Sequence, residues 1–354
     1  MSEDVWAERD TTPDKIEAAL RELLRERHAA NRALAPARVL NLVVVVDREW
    51  KGEIANRLER VGRYHASRTI LCTVEEGRET LDAVAVMSYA EAGPGGVAAM
   101  HEKVEIDVGT SQLARLDTIV DPVLVPDLPT MLWSPHGHRE AVDALLRTTD
   151  VILLDSDDEA DASDALWRIG QLQGAAYVVD LAWLRTVPWR ERLAAAFDPT
   201  ERLPNLAKLT GVTVRHHPAS AASAVLLVGW LSSRLGWSLA PLRSMNGAGL
   251  ASRAQADGGE VEIELQPLDQ EAPGLAGVTV SWDPGCSLSL DRDLGGLCAR
   301  ERGRDGRDKS WIVLGASRGE GGILGEGVRQ ALLRDPTYSP SLEAAQRMLS
   351  EVTP

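Results

Sequence analysis

The chain has 354 residues, 44% hydrophobic and 26% charged, a composition that builds folded cores over more length than the ~100–200 residues of one typical domain. Its 53 Asp and Glu outweigh 38 Lys and Arg, and the resulting formal charge of −15 repels phosphate backbones and argues against a nucleic-acid partner. Three cysteines are too few for a disulfide scaffold, and the N-terminus lacks a basic start, apolar stretch and cleavage site, so the expected compartment is the cytoplasm. Ten Trp stand beside one Phe (Phe197) and four Tyr, which suits large interface anchors as well as core filling.

The first ten residues read as a polar lead. Thr12-Pro13-Asp14 then gives a cap, a first-turn proline and an early acid, predicting a helix to about Ala30 with Ile16, Leu20, Leu23 and Leu24 on one face. The run from Val39 to Val46 is β-branched and nearly all apolar, the pattern of a strand buried on both faces of a parallel sheet. Ile54, Leu58 and Val61 space a helix, and Arg68 to Val74 supplies the next strand, completing a β-α-β unit. Leu81 to Tyr89 and Lys103 to Val108 read as a hairpin-like excursion around Gly93-Pro94-Gly95-Gly96. A helix from about Ser111, the turn Val125 to Pro129, and strands at Thr130 to Trp133, Asp150 to Leu154 and Tyr177 to Asp180 resume the α/β alternation.

Two prolines and polar residues at Asp198 to Pro204 place a boundary, giving an N-terminal α/β domain over 1–200 and a smaller α+β domain over 201–354. The first is expected to hold a mostly parallel sheet with flanking helices. Pro218 to Ser233 lacks charge but falls short of the ~20 apolar residues that span a bilayer, so it reads as a buried helix and no membrane partner is expected. Val261 to Leu265, Gly277 to Trp282 and Trp311 to Leu314 read as an antiparallel sheet, and Ser341 to Val352 as a closing amphipathic helix.

Several motifs invite chemistry and then lose it. Gly315-Ala316-Ser317-Arg318-Gly319 matches a nucleophile elbow, but the last histidine, His217, lies upstream of it, where an elbow triad needs one downstream. The glycines from 319 to 327 miss both phosphate-loop spacings and read as a flexible linker. His136 with His138, and His216 with His217, lack zinc spacing, so no metal or other cofactor is expected. Six acids between Asp155 and Asp164 lack the calcium-loop pattern and read as a solvated helix N-terminus. Cys286 and Cys298, twelve positions apart, could approach across a hairpin and are the redox candidates, with reduced thiols the expected default in the cytoplasm.

The most distinctive run is Asp180-Leu181-Ala182-Trp183-Leu184-Arg185-Thr186-Val187-Pro188-Trp189-Arg190. With Arg38 to Val44, Pro126 to Trp133 and Gly229 to Gly236, it resembles the glucose-6-phosphate dehydrogenase assembly protein family, OpcA, over roughly residues 11 to 240. The resemblance implies a non-enzymatic protein that binds glucose-6-phosphate dehydrogenase and favours its active oligomer, feeding the oxidative pentose phosphate pathway. In photosynthetic bacteria it also implies redox control of that enzyme. The partner-binding candidates are Asp180, Trp183, Arg185, Pro188, Trp189 and Arg190, with Asp127, Pro129 and Trp133. Physically, Arg185 is expected to reach Trp189 for a cation–π contact, with Asp180 available to Arg185 or Arg190. The alternative is a sugar-phosphate- or nucleotide-binding α/β module or enzyme, with its site at the strand ends near Asp47, Val74, Trp133 and Asp180.

Overall fold

The computed structural model describes residues 2–30, 38–62, 67–90, 99–245, 249–293, 296–314, 319–330 and 333–350. In chain order these form β1 (Ser2–Glu8), α1 (Pro13–Ala30), β2 (Leu40–Asp47), α2 (Lys51–Gly62), β3 (Ser67–Glu75), β4 (Asp82–Ala90), β5 (Ala99–Gly109), α3 (Leu116–Val120), β6 (Thr130–Trp133), α4 (Arg139–Leu145) and β7 (Val151–Leu154). Then follow α5 (Ala162–Leu172), β8 (Tyr177–Asp180), α6 (Leu181–Arg185), α7 (Val187–Phe197), β9 (Leu209–His216), α8 (Ala221–Leu235), β10 (Ser238–Leu239), β11 (Arg243–Ser244) and β12 (Leu250–Ala256). The chain closes with β13 (Gly259–Pro267), β14 (Leu275–Trp282), β15 (Cys286–Asp293), β16 (Gly296–Arg302), β17 (Asp308–Leu314), α9 (Gly319–Gln330) and α10 (Tyr338–Leu349).

Two compact units result: residues 1–154, 172–179 and 324–332 form one, and 155–171, 180–323 and 333–354 the other. The first is organised by an eight-stranded sheet of order β1-β4-β5-β3-β2-β6-β7-β8. Its middle is parallel, with β2 between β3 and β6, and the β-branched run of β2 is fully buried as its composition requires. The other end is antiparallel, so the sheet is mixed. The β4–β5 hairpin is no excursion, because β5 also pairs parallel with β3 and joins the sheet; its glycine tip lies outside the described residues. The polar lead is strand β1, antiparallel to β4; as an edge strand with Val5 57% exposed it lacks the apolar alternation that would have marked it.

The second unit is built on a nine-stranded sheet of order β10-β12-β13-β9-β14-β15-β16-β17, with β11 on β12. The three expected strands are β13, β14 and β17, but the sheet is mixed here too, since β13 runs parallel to β9. The uncharged helix α8 is buried as expected. Gly229 lets α10 lie against it: a Cβ at that position would stand 2.3 Å from the Ser341 carbonyl oxygen. Gly236, at φ +69°, ends α8 in the left-handed conformation that glycine adopts without strain.

The glycine-rich segment expected to be a linker is helix α9. Leu324 and Val328, one turn apart, are buried, and that spacing overrides a glycine penalty of ~1 kcal/mol per residue. The nucleophile-elbow match at 315–318 falls outside the described residues.

Candidate functional site

The Asp180 to Arg190 run turns from strand into two helices inside the second unit. Asp180 ends β8 and caps α6, accepting the Ala182 N–H at 3.0 Å. It also accepts from the Ser156 N–H (3.0 Å), the Ser156 hydroxyl (2.8 Å) and the Tyr338 hydroxyl (3.0 Å). Its partners are therefore hydroxyls and amides, where an arginine had been expected. Burial, then the nearby Asp155 charge, push its carboxyl up to about 6 against the pull of these hydrogen bonds.

Arg185 turns to the acid-rich segment. Its guanidinium forks onto Asp155 at 2.7 and 2.5 Å and lies 4.0 Å from Asp157. Asp157 accepts the Ser223 N–H at 3.0 Å and its hydroxyl at 2.6 Å, so it serves an unpaired donor in the first turn of α8. Burial and the Asp155 charge push Asp157 up to about 7. The solvated reading of these acids is thus overturned for two of the six: the side chains of Asp155 and Asp157 are only 5% and 6% exposed. The Arg185 guanidinium and the start of α8 hold them in place of water.

Trp183 and Arg190 form the neighbouring half. The Arg190 guanidinium carbon lies 3.5 Å from the Trp183 ring centre, so the cation–π pair is Arg190 with Trp183, not Arg185 with Trp189. The two stand on consecutive helices, α6 and α7, and the turn at Thr186 brings them together; its hydroxyl accepts from Arg190 Nε at 3.0 Å. Trp183 Nε1–H donates to Asp335 at 2.9 Å, and its ring meets Tyr338 at 5.3 Å. Asp335 is held below its ordinary value by its bonds from Thr337 and Trp183 and by the Arg190 charge, which outweigh its burial. Burial lowers Arg190 to about 10.

Asp180, Trp183, Trp189 and Arg190 are all buried, while Arg185 and Pro188 are half-buried, Pro188 in the first turn of α7. In the first unit Trp133 is buried at the end of β6, whereas Asp127, at φ +65°, and Pro129 are exposed on the preceding turn. That turn hangs on Asn41, a fully buried β2 residue whose amide donates to the Val125 carbonyl at 3.1 Å and accepts the Val125 N–H at 2.9 Å. Asn41 and the Val125 to Trp133 segment are therefore one device.

The remaining candidates are placed as follows. Asp47 and Val74 end adjacent parallel strands, and Trp133 ends β6 on the other side of β2. Trp50 stacks on His136 with ring centres 5.0 Å apart, and His138 lies 3.3 Å from Asp47. Among the described residues no three His, Cys, Asp or Glu side chains gather as a metal site. All three thiols are free. Cys298 stands opposite Asp291 and Cys286 opposite Trp282, so about five residues of ~3.3 Å separate the two thiols along the hairpin and a bridge between them is excluded in this register. Cys286 lines a shallow cavity of about 410 Å³ with Thr210, Asp283 and Arg302.

Sequence reading missed Asp155, Asp157, Ser223, Asp335 and Tyr338. The one local signal was six acids in ten residues with no Lys or Arg among them, a density that fits a solvated helix start equally well.

Fold and site define an α/β protein of two mixed-sheet units, in the second of which the buried carboxylates are held by hydroxyl, amide and guanidinium donors. Residues 58–171 match the N-terminal domain, and residues 176–341 the C-terminal domain, of the family described as "Glucose-6-phosphate dehydrogenase subunit". The chain belongs to the glucose-6-phosphate dehydrogenase assembly protein family. Among curated relatives, a Synechococcus elongatus protein named "Putative OxPP cycle protein OpcA" is 26% identical over 255 residues, covering 70% of this chain and 54% of the relative. A Synechocystis protein of the same name is 31% identical over 134 residues, 36% of this chain and 28% of the relative. The chain thus spans about half the length, or less, of these relatives. Among solved structures, an oxidoreductase from Sinorhizobium meliloti aligns at 13% identity and TM-score 0.49, covering 89% of this chain and 95% of that one. A Gal80p mutant from Saccharomyces cerevisiae aligns at 8% and 0.49 over 89% and 94%. At those values the likeness carries no weight for function. Among the described residues no helix is long and apolar enough to cross a membrane.

Proposed function

We propose that this chain is a non-enzymatic assembly factor that binds glucose-6-phosphate dehydrogenase and favours its active oligomer. The observation that carries this reading is the match to both domains of the family, together spanning most of the chain from residue 58 to 341. The site's chemistry supports it. The Ser223 hydroxyl donates to a carboxylate as a nucleophile would to its base, but Ser223 is fully buried, so a substrate has no approach.

In this reading the buried Asp180, Trp183, Trp189 and Arg190 shape a partner surface from beneath, Trp133 does the same for its turn, and the exposed Asp127 and Pro129 with the half-buried Arg185 and Pro188 are the members able to touch the partner. A binder shifts an equilibrium only by its preference between states, so ten- to hundredfold activation takes about 1.4–2.7 kcal/mol of differential affinity.

The test is the initial rate of NADP-dependent glucose-6-phosphate oxidation by the cognate dehydrogenase as this protein is titrated in, with its own rate recorded alone. A saturating rise with no intrinsic rate is expected. A flat titration under both oxidising and reducing conditions refutes the proposal.

A further inference from the structure

The nine-stranded sheet has two faces, and its alternation shows what each is for. Val212, Val214, Ile263, Leu265, Val278 and Val280 point to the buried face. The intervening positions form a second face on which Glu262, Arg300 and Ile312 are exposed, Ile312 at 61%. The five strands β13, β9, β14, β15 and β16 at ~4.8 Å and about seven residues at ~3.3 Å make this face about 550 Å², so two copies would bury about 1,100 Å² between them, just above the ~1,000 Å² that a specific interface needs.

Two levels of the open face carry charges sorted by strand, while the next level holds Arg215 on β9 and Asp291 on β15, joined at 2.6 Å across β14. Following the pairing across the sheet, Glu264 is level with Thr213, Thr279, Ser289 and Arg300. One level along, Glu262 aligns with Gly211, Ser281, Ser287 and Arg302. The glutamates stand on β13, two strands to one side of β14, and the arginines on β16, two strands to the other. Between them these levels carry only Ser, Thr and Gly. About 19 Å of sheet separates the rows, beyond the ~8–10 Å screening length, so within one chain neither row neutralises the other.

A second copy solves this geometrically. Turned over about a two-fold axis that lies in the interface along β14, it keeps every level and exchanges the two sides. Glu264 then faces Arg300 of the second copy and Glu262 faces its Arg302, each pair occurring twice. An axis across the strands would instead set arginine on arginine and glutamate on glutamate. Arg302 already holds Asp308 at 2.9 Å in its own chain, so Glu264 with Arg300 is the pair that this orientation satisfies most. At these two levels the side chains between the rows are small; Thr279, on the axis, accepts from the Arg215 guanidinium, and about that axis Arg215 and Asp291 also exchange sides, so two sheets stacked at ~10 Å set Arg215 against Asp291 of the second copy. We propose that the open face of β13-β9-β14-β15-β16 is a homodimer interface with its two-fold axis along β14.

Sedimentation of the full chain tests the arrangement independently of the dehydrogenase reading. Wild type should sediment as a dimer. The variants E262R/E264R and R300E/R302E should each associate about a hundredfold more weakly, because every contact becomes like on like. Mixed one to one they should form a heterodimer, since both pairs of rows are then complementary. T279R, on the axis, should be monomeric, and circular dichroism of all variants should match wild type. A wild-type chain that stays monomeric at about 100 µM overturns the proposal. So do variants that dimerise as wild type does, or a mixture of the two that remains monomeric.

Discussion

Replacing Asp157 with Asn keeps the side chain's shape and removes its charge, which isolates what that charge does to stability. Folded, the Asp157 carboxyl titrates at about 7, pushed up by burial and by Asp155; unfolded, an aspartate titrates near ~3.9. The folded state therefore grips this proton more tightly than the unfolded one. Asp157's stabilising contribution is fully present below pH ~4 and is lost as pH rises through about 7. A separation of one pH unit is worth ~1.36 kcal/mol, so the wild type loses about 2–4 kcal/mol from this group on the way up.

Other groups titrate alongside it. Asp82, Glu105 and Asp335 are held below their ordinary values, so their opposite, stabilising effect is complete by pH ~5. His138 and His216 are lowered by burial and make stability rise with pH through ~6.5, which masks Asp157 in the wild type alone. The informative quantity is the difference between wild type and D157N, measured by urea unfolding at pH 5, 6, 7 and 8. Relative to wild type, the variant should gain about 2–3 kcal/mol across that range, two pH units at ~1.36 kcal/mol each. A difference constant within ~0.5 kcal/mol would mean that the carboxylate is not confined as described, and the reasoning fails.

Gly229→Val should drive α8 from α10 and lower stability by about 2–4 kcal/mol, read as a fall in melting temperature, because the Cβ meets backbone and not a movable side chain. Trp183→Leu removes the ring under Arg190 and the donor to Asp335, a loss of about 3–5 kcal/mol in denaturant unfolding. Asn41→Leu leaves the Val125 N–H without its acceptor and should cost about 1–3 kcal/mol, with hydrogen exchange at Val125 speeding first. Thiol titration with an aromatic disulfide should label Cys286 and Cys298 in the native protein and Cys72 only on unfolding, because burial pushes the Cys72 thiol to about 12.

The parallel core was legible because β2 carries its burial in its own composition, and α1, α2 and α8 because spacing or lack of charge marked them. Edge strand β1 was not, since both its faces reach solvent and nothing in its composition alternates. At the site, the Asp180 to Arg190 run was recognisable as a unit, but its partners were not. Ser156, Ser223, Asp335 and Tyr338 come from separate stretches of the chain, and local spacing says nothing of contacts that the fold makes across 150 residues. The acids were misread for a related reason. Charge density alone does not distinguish a solvated helix start from carboxylates awaiting a cation 30 residues downstream.

The bond from Tyr338 to Asp180 joins residues 158 positions apart, and Trp183 reaches Asp335 over 152. A ribosome adding ~5–20 residues per second needs about 8–30 s to make that stretch. For that interval the nascent chain holds Asp180 without its phenol and Trp183 without its acceptor, and from residue 235 onward α8 without the helix that Gly229 admits. The parallel core of the first unit, β2, β3, β5, β6 and β7, draws on residues 40–154, all synthesised before that wait begins. Both units wait for late residues, the first for 324–332 and the second for Tyr338 to Leu349, and the half-made second unit, with an apolar helix uncovered, is the species that a chaperone or a protease meets.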